Sequence, residues 1–201
     1  MKRSTIIILG TLGVILLIAF SAVGWWTRTY NSFVTLDEGV KSAWSQVQNQ
    51  YQRRTDLIPN LVEVVKGYAA HESTVFTQVA EARASVGRLT VTADVLKDPQ
   101  LFQKFQAAQG ELSSALTRLL AVSENYPQLK ANENFLQLQS QLEGTENRIA
   151  VERKRFNEVV QDYNTRIRLF PGSFIANMSG FTQKPYFEAE AGADKAPKVK
   201  F

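Results

Sequence analysis

The chain has 201 residues, enough for one membrane segment and one domain with a sizeable apolar core. It contains no cysteine, which excludes disulfides, thiolate catalysis and cysteine-ligated metals. The net charge of +4 arises at the two ends: residues 1–28 carry three basic side chains and no acid, residues 182–201 carry four against three, and 16 of each sign balance between them. This distribution predicts no nucleic-acid partner, because phosphate binding needs a clustered, uncompensated basic face.

The first predicted element is a membrane anchor. From Ile6 to Trp26 there are 21 residues without a charge, and a helix of that length rises about 30 Å, the thickness of the hydrocarbon layer. Tryptophans at its C-terminal end are typical of the lipid–water interface. We predict a short flank at 1–5 and a single-pass anchor at 6–26, with the lipid bilayer as partner. The alternative is a cleaved signal peptide, whose apolar core is usually shorter and is followed by small residues.

The charges around the anchor predict its direction. The amino terminus, Lys2 and Arg3 lie before the span, whereas Arg28 is the nearest basic residue beyond it and Lys41 follows later. An excess of basic residues marks the cytoplasmic side. We therefore predict that the soluble part lies outside the cytoplasm.

Behind the anchor, apolar residues recur at alternating spacings of three and four in four successive stripes. This is the period of helices that bury one face, and the alternation typical of strands is absent. The breaks contain proline or glycine and lie at Asp56–Pro59, Gly87–Pro99, Tyr126–Pro127 and Pro171–Gly172. Short connections require antiparallel neighbours, so we predict an all-α fold: the transmembrane helix, then an antiparallel up-and-down four-helix bundle over 30–170. The break at Pro59 is the weakest, since a kinked continuous helix is the alternative there; Asp98 should cap the helix that begins at Pro99.

An aromatic-rich segment, 171–188, follows the bundle. Its candidate membrane-proximal side chains are Phe174, Ile175, Phe181, Tyr186 and Phe187. They can pack back on the base of the bundle, which we favour, or dip into the membrane interface beside the anchor. Residues 189–201 are small, polar and charged, and are predicted to be a disordered tail.

Several ordered motifs give the chain a family resemblance. They are Tyr30–Val34, Gln52–Val62 (QRRTDLIPNLV), Lys66–Glu72 (KGYAAHE), Glu124–Ala131 (ENYPQLKA), Thr145–Ile149, Phe156–Asn157 and Tyr163–Asn164. Together they resemble the LemA family over residues 30–188. The resemblance implies one N-terminal helix in a bacterial inner membrane, a bundle of four long helices, and no established activity, catalytic residue or cofactor. It also implies partners among membrane zinc peptidases or other envelope proteins, whose genes often lie nearby, and one branch of the family belongs to magnetosome membranes.

No residue set points to catalysis or to a metal. His71 is the only histidine, and a zinc-protease helix needs a second histidine four positions later, where Val75 stands. We predict that His71 lies on a helix face, and that acidic pairs such as Glu143 with Glu146 lie on a solvated face near Arg148. The chain is therefore predicted to be no enzyme and to bind no cofactor.

The predicted topology brings the first and third turns together at the end of the bundle far from the membrane. Polar residues of mixed charge cluster there: Arg53, Arg54, Asp56, Asn60, Glu124, Asn125, Tyr126 and Lys130. One hypothesis is a tip that binds a protein partner. The other is turn chemistry alone, with Asp56 capping a helix and the arginines pairing with carbonyls and Glu124.

These observations favour a membrane-anchored, non-enzymatic scaffold or adaptor that presents a rigid bundle to envelope or membrane proteins. The alternative is an envelope-structural or lipid-organising protein that acts by self-association as a homo-oligomer. The anchor gives this alternative little support, because Gly10 and Gly13 lack the four-residue spacing of a helix-packing motif.

Overall fold

The computed structural model describes residues 3–90 and 95–188, and this part of the chain contains helices and no strand. Six α-helices follow one another: α1 Arg3–Tyr68, α2 Ser73–Thr90, α3 Pro99–Val122, α4 Pro127–Lys130, α5 Glu133–Arg168 and α6 Gly172–Met178. A short 3₁₀ turn joins α3 to α4. The predicted tail at 189–201 lies outside the described residues.

The helices form two compact units. The first, which we call the anchor unit, contains α1 up to Lys41 together with Gln161–Gln183. The second, the bundle unit, contains Ser42–Val160 and the described residues from Lys184 onwards. Helices α1 and α5 each contribute residues to both units.

The first part of α1 is apolar, and no other part of the described chain covers it. Leu16, Leu17 and Phe20 are 61%, 69% and 82% exposed. A core helix of a soluble domain would bury such side chains, whereas this one is long and apolar enough to cross a membrane. The predicted apolar N-terminal helix is confirmed.

The rest of the anchor unit packs around Phe33 of α1. Phe33, Tyr163 and Ile175 are fully buried, and the ring of Phe181 meets that of Phe33 edge-on, with centroids 5.5 Å apart. Gly172 lets the start of α6 approach α1 closely, because a Cβ added there would lie 3.1 Å from the Phe33 ring. The chain after α5 is thus held against α1.

Helices α1, α2, α3 and α5 form the four-helix bundle of the bundle unit. The ring of Trp44 on α1 lies beside Phe102 on α3 and Phe156 on α5, with centroids 5.8 and 5.6 Å away. Further along α1, Arg54 meets residues that lie later in α3 and earlier in α5. Helices α1 and α3 therefore run in the same direction and α5 runs opposite to them, which gives the up-and-down order. The predicted all-α fold is confirmed.

The bundle core has an aromatic part and an aliphatic part, with Arg54 between them along α1. The aromatic part contains Trp44, Tyr51, Phe102, Phe105, Phe156 and Phe187. The aliphatic part includes Leu61, Val65, Val79, Leu112, Leu116, Leu119 and Leu142. Full burial of each such side chain stabilises the fold by roughly 1.5–3 kcal/mol.

The first connection of the bundle lies at residues 69–72, because α1 continues through Pro59 and ends at Tyr68. The predicted break between Asp56 and Pro59 is therefore wrong, and the continuous helix is the correct alternative at Pro59. The apolar pattern gave no sign of the true boundary, because it continues across the turn. Tyr68 and Val75 lie seven residues apart, a spacing that an uninterrupted helix would also give.

The other predicted boundaries agree better with the structure. The side chain of Asp98 accepts hydrogen bonds from the backbone N–H groups of the two residues after Pro99, at 2.8 and 3.3 Å, so the predicted cap is confirmed. Helix α4 begins at Pro127, as the third break requires. Helix α5 continues through Gly144 and ends at Arg168, shortly before the predicted stop.

Candidate binding surfaces

Arg54 is the centre of a buried polar layer in the bundle unit. The residue is 1% exposed. Its Nη1 donates to the Ser113 hydroxyl on α3 and to the Glu146 carboxylate on α5, both at 2.9 Å, and its Nη2 donates to the side-chain oxygen of Gln109. A buried guanidinium needs such partners, because removing an ion from water without them costs several kcal/mol.

Two donors in this layer are left without an acceptor. Within residues 3–90 and 95–188, Arg54 Nε and Gln109 Nε2 make no hydrogen bond to a protein acceptor. Gln109 is 5% exposed, so both groups are shielded from bulk water. A buried donor without an acceptor costs about 1–3 kcal/mol, and both side chains could therefore accommodate an additional acceptor group.

Both side chains line an open cleft of about 810 Å³ between α3 and α5. The α3 wall of the cleft is a stripe of exposed, uncharged residues: Gln103, Ala107, Gly110, Ser114 and Thr117. The opposite wall carries Glu146, Ile149 and Arg153, and Arg54 lies between the walls. We call this feature the Arg54 cleft.

The predicted tip residues are divided by the structure. Arg53, Asp56 and Asn60 are exposed along α1, well before the true turn, and Asp56 accepts a hydrogen bond from Gln52 at 2.7 Å instead of capping a helix. Arg54 lies in the buried layer and contacts Glu146, not Glu124. The α1 residues of the predicted tip therefore do not belong to the first turn.

The first and third turns do meet, but through other residues of the first turn. The Tyr126 hydroxyl donates to the Glu72 carboxylate at 3.2 Å, and Asn132 donates to the Tyr68 hydroxyl at 3.0 Å. Burial, together with the hydrogen bond to Glu72, raises the pKa of Tyr126. Glu124, Asn125 and Lys130 are exposed around this contact. We call Tyr68, Glu72, Tyr126 and Asn132 the turn cluster.

The aromatic-rich segment is also divided. Phe187 is buried in the bundle unit, where Phe102 lies 4.9 Å away between ring centroids and the Asn157 side chain holds its backbone by two hydrogen bonds of 2.9 Å. Ile175 is buried in the anchor unit, and Phe181 packs on Phe33 there. Phe174 and Tyr186 are 62% and 42% exposed. The favoured alternative, packing back, therefore describes part of the set.

His71 lies in the turn between α1 and α2 and is exposed, so the predicted position on a helix face is wrong. Among the described residues, no three histidine, aspartate or glutamate side chains are close enough to hold a metal ion together. Glu146 does not lie on a solvated face with Arg148, since it pairs with Arg54.

The sequence did contain a signal for the polar layer. Arg54 follows Tyr51 by three positions and precedes Ile58 by four, so it occupies an apolar-stripe position of α1. Gln109 likewise occupies a stripe position of α3, four positions after Phe105 and three before Leu112. A polar residue at a stripe position indicates a buried polar group with partners on the facing helices.

Comparison with known protein sequences identifies the family of the chain. A sequence model of the LemA family matches residues 43–201. The chain belongs to the LemA family. One relative, Magnetosome protein MamQ of Magnetospirillum gryphiswaldense, is 27% identical to this chain, over 96% of this chain and 76% of its own length.

Two further relatives of this LemA-family chain match it over a smaller share of both sequences. Magnetosome protein MamQ 2 of Paramagnetospirillum magneticum is 28% identical, over 82% of this chain and 66% of its own length. Protein LemA of Metamycoplasma hominis is 21% identical, over 75% of this chain and 64% of its own length. The chain thus spans about two thirds to three quarters of these bacterial relatives.

Proposed function

We propose that this LemA-family chain is a membrane-anchored scaffold or adaptor without catalytic activity, which binds a protein partner through its helical bundle. The observation that carries the proposal is that one helix, α1, contains both the apolar segment and part of the bundle. A bundle attached in this way stays beside the membrane. As partner we propose another membrane or envelope protein, and the family resemblance favours a membrane zinc peptidase.

The chemistry of the Arg54 cleft supports a binding role over a catalytic one. Among the serine and threonine side chains that line it, Ser113 is the most buried, and its hydroxyl oxygen accepts a hydrogen bond from the Arg54 guanidinium. A nucleophilic serine instead donates its proton to a neighbouring base. The carboxylate in the layer, Glu146, is paired with the same arginine. Neither group is arranged to transfer a proton to or from a substrate.

The shape of the Arg54 cleft fits a helix of a protein partner. Small side chains such as Ala107, Gly110 and Ser114 recur every three or four residues on the α3 wall, and small residues allow another helix backbone to come close. Arg54 and Gln109 also line the cleft, and their Nε and Nε2 donors make no hydrogen bond within the described part of the chain. We propose that a carboxylate, amide or hydroxyl oxygen of the partner helix reaches these donors when the side chains of the cleft move on binding.

A crosslinking experiment in cells tests this binding site. A photoreactive residue replaces Gln103, which is exposed on the α3 wall, and adducts are separated by mass after irradiation. We expect one discrete adduct with another protein. The variant Ser114→Arg, which fills the cleft, should reduce this adduct at least tenfold.

Ser42→Arg is the matched control, because Ser42 is an exposed helical serine outside the cleft; it should leave the adduct unchanged. An adduct of two copies of this chain would instead support the self-associating alternative. Equal adducts from Ser114→Arg and Ser42→Arg would overturn the cleft as the partner site.

A further inference from the structure

An exposed apolar corner follows helix α5 in the anchor unit. Leu169, Phe170, Phe174 and Met178 are 54%, 89%, 62% and 65% exposed. These four large side chains lie within ten residues of sequence, and we call them the apolar corner. Soluble proteins seldom leave so many large apolar side chains together in water, so an exposed group of this kind indicates an interaction surface.

The corner is held in place by the opposite face of α6. Ile175 and Ala176 are 0% and 1% exposed, and Gly172 brings the start of α6 within contact distance of Phe33 on α1. With Ile175 and Ala176 turned into the anchor unit, Phe174 and Met178, one helical turn apart, are left outside. Their exposure is therefore a consequence of how α6 packs.

The corner is continuous with the membrane anchor. The ring of Phe174 meets the ring of Trp26 edge-on, with centroids 6.5 Å apart. Trp26 lies at the C-terminal end of the uncharged stretch of α1, where tryptophan rings favour the boundary between lipid and water. Phe174 therefore lies at the depth of the membrane boundary whenever α1 spans the bilayer.

The charges that lie closest to the corner in sequence suit the same surface. Between Thr165 and Phe181 the only charged residues are Arg166 and Arg168, and the chain there has no acid. Both arginines are exposed, as is Arg28 on α1 just beyond the anchor. Basic side chains beside an apolar surface are what anionic lipid headgroups attract.

We infer that the apolar corner inserts into the lipid–water interface beside the anchor, so that the protein contacts the membrane at two places. The first contact is the spanning part of α1 and the second is the turn of α5 into α6. This inference rests on the membrane anchoring in the proposed function. It adds a specific lipid-binding surface formed by Leu169, Phe170, Phe174 and Met178.

The absence of cysteine in the chain allows a direct test on the full-length protein. Phe174→Cys, Gln161→Cys and Leu16→Cys each receive a nitroxide label in nanodiscs of phosphatidylethanolamine and phosphatidylglycerol. Collision rates with oxygen, which concentrates in lipid, and with a water-soluble nickel chelate are then measured. Gln161 is the control, because it is an exposed polar residue of α5 in the same unit; Leu16 reports on the anchor.

We expect the label at 174 to resemble that at 16, with oxygen collisions at least threefold more frequent relative to nickel than at 161. A label at 174 that is as accessible to nickel as 161, while 16 remains in lipid, would overturn the inference alone. Protection of 174 from both reagents would show cover by protein and would also overturn it. Access of nickel to 16 would instead remove the anchoring on which the proposed function rests.

Discussion

Arg54 is a full positive charge on the apolar face of a core helix, and its surroundings are arranged around it. Its side chain is 2% exposed and that of its carboxylate partner, Glu146, is 39% exposed. If the ion pair is broken, water can therefore hydrate one member of the pair but not the other. Glu146 can be hydrated when it is alone, whereas Arg54 cannot.

This asymmetry predicts unequal effects of removing either charge. Glu146→Gln leaves Arg54 buried without its counter-ion, and we expect a loss of stability on the order of 2–4 kcal/mol. Arg54→Met removes the buried charge but leaves the buried Gln109 oxygen without its donor, so we expect a smaller loss of about 1–2 kcal/mol. Thermal unfolding of the full-length protein in detergent, followed by far-ultraviolet circular dichroism, measures both.

Glu143→Gln provides the control for this comparison, since Glu143 is an exposed glutamate one turn earlier on α5; its unfolding temperature should stay close to that of the wild type. A larger loss for Arg54→Met than for Glu146→Gln would show that the buried charge is stabilising in itself.

Tyr163 makes the anchor unit sensitive to high pH. Burial, with the negative charge of Asp37 adding to the effect and Lys41 opposing it, raises the pKa of its hydroxyl to about 12, compared with about 10 in an unfolded chain. The fold thus favours the neutral hydroxyl, which donates to the Thr182 carbonyl at 3.0 Å. This stabilisation is complete below pH about 10 and is lost as the pH rises through about 12.

Tyr163→Phe should therefore be less stable than the wild type at neutral pH, and the difference should shrink as the pH rises from about 10 to about 12. Tyr126, whose pKa is also raised, is present in both proteins, so its titration cancels in the comparison. Unfolding temperatures measured across this pH range give the result. A difference that is independent of pH would show that Tyr163 does not titrate differently in the folded state.

At the scale of the helix, Pro59 lies inside α1 although proline disfavours a helix interior. Proline has no N–H to donate to the carbonyl of Thr55 and its ring crowds that carbonyl, which costs about 3 kcal/mol in a helix interior. Helix α1 continues nevertheless, because Ile58, Leu61 and Val65 on the same stretch are buried in the bundle core. Packing of the apolar face exceeds the local preference.

Pro59→Ala should then stabilise the bundle by about 1–3 kcal/mol, since it restores one backbone hydrogen bond without changing the core. Pro59 is exposed, and so is Asn60, whose replacement by alanine should gain only a few tenths of a kcal/mol. Chemical denaturation of the two variants side by side distinguishes them. An unchanged or lower stability of Pro59→Ala would indicate that the proline is accommodated without loss.

The four long helices of the bundle and their order were predictable from the sequence, but one boundary and part of the candidate site were not. Periodicity identifies buried faces, and Asp98 with Pro99 is a local signal that operates without tertiary contacts. The turn at 69–72 contains no proline or glycine, and its position depends on Tyr68 and Glu72 meeting residues of the third turn. The partners of Arg54 likewise come from facing helices, which periodicity alone cannot pair.

For the whole molecule, the side of the membrane on which the bundle lies decides which partners it can meet. The charge count around the anchor predicts the extracytoplasmic side. Gln128→Cys places one thiol at an exposed position between α3 and α5 in a chain without cysteine. We expect a membrane-impermeant maleimide to label this variant in intact cells. Labelling only after lysis would place the bundle in the cytoplasm, and its partners would then be cytoplasmic proteins or cytoplasmic parts of membrane proteins.

The polar layer also sets an order on biosynthesis. The three partners of Arg54 lie 55, 59 and 92 residues further along the chain. At bacterial rates of roughly 5–20 residues per second, the last of them leaves the ribosome on the order of ten seconds after Arg54. The apolar start of α1 is meanwhile available to the insertion machinery. Membrane insertion can therefore precede closure of the bundle, and a nascent chain that stalls before α5 would leave the apolar faces of its earlier helices uncovered and be a target for proteolysis.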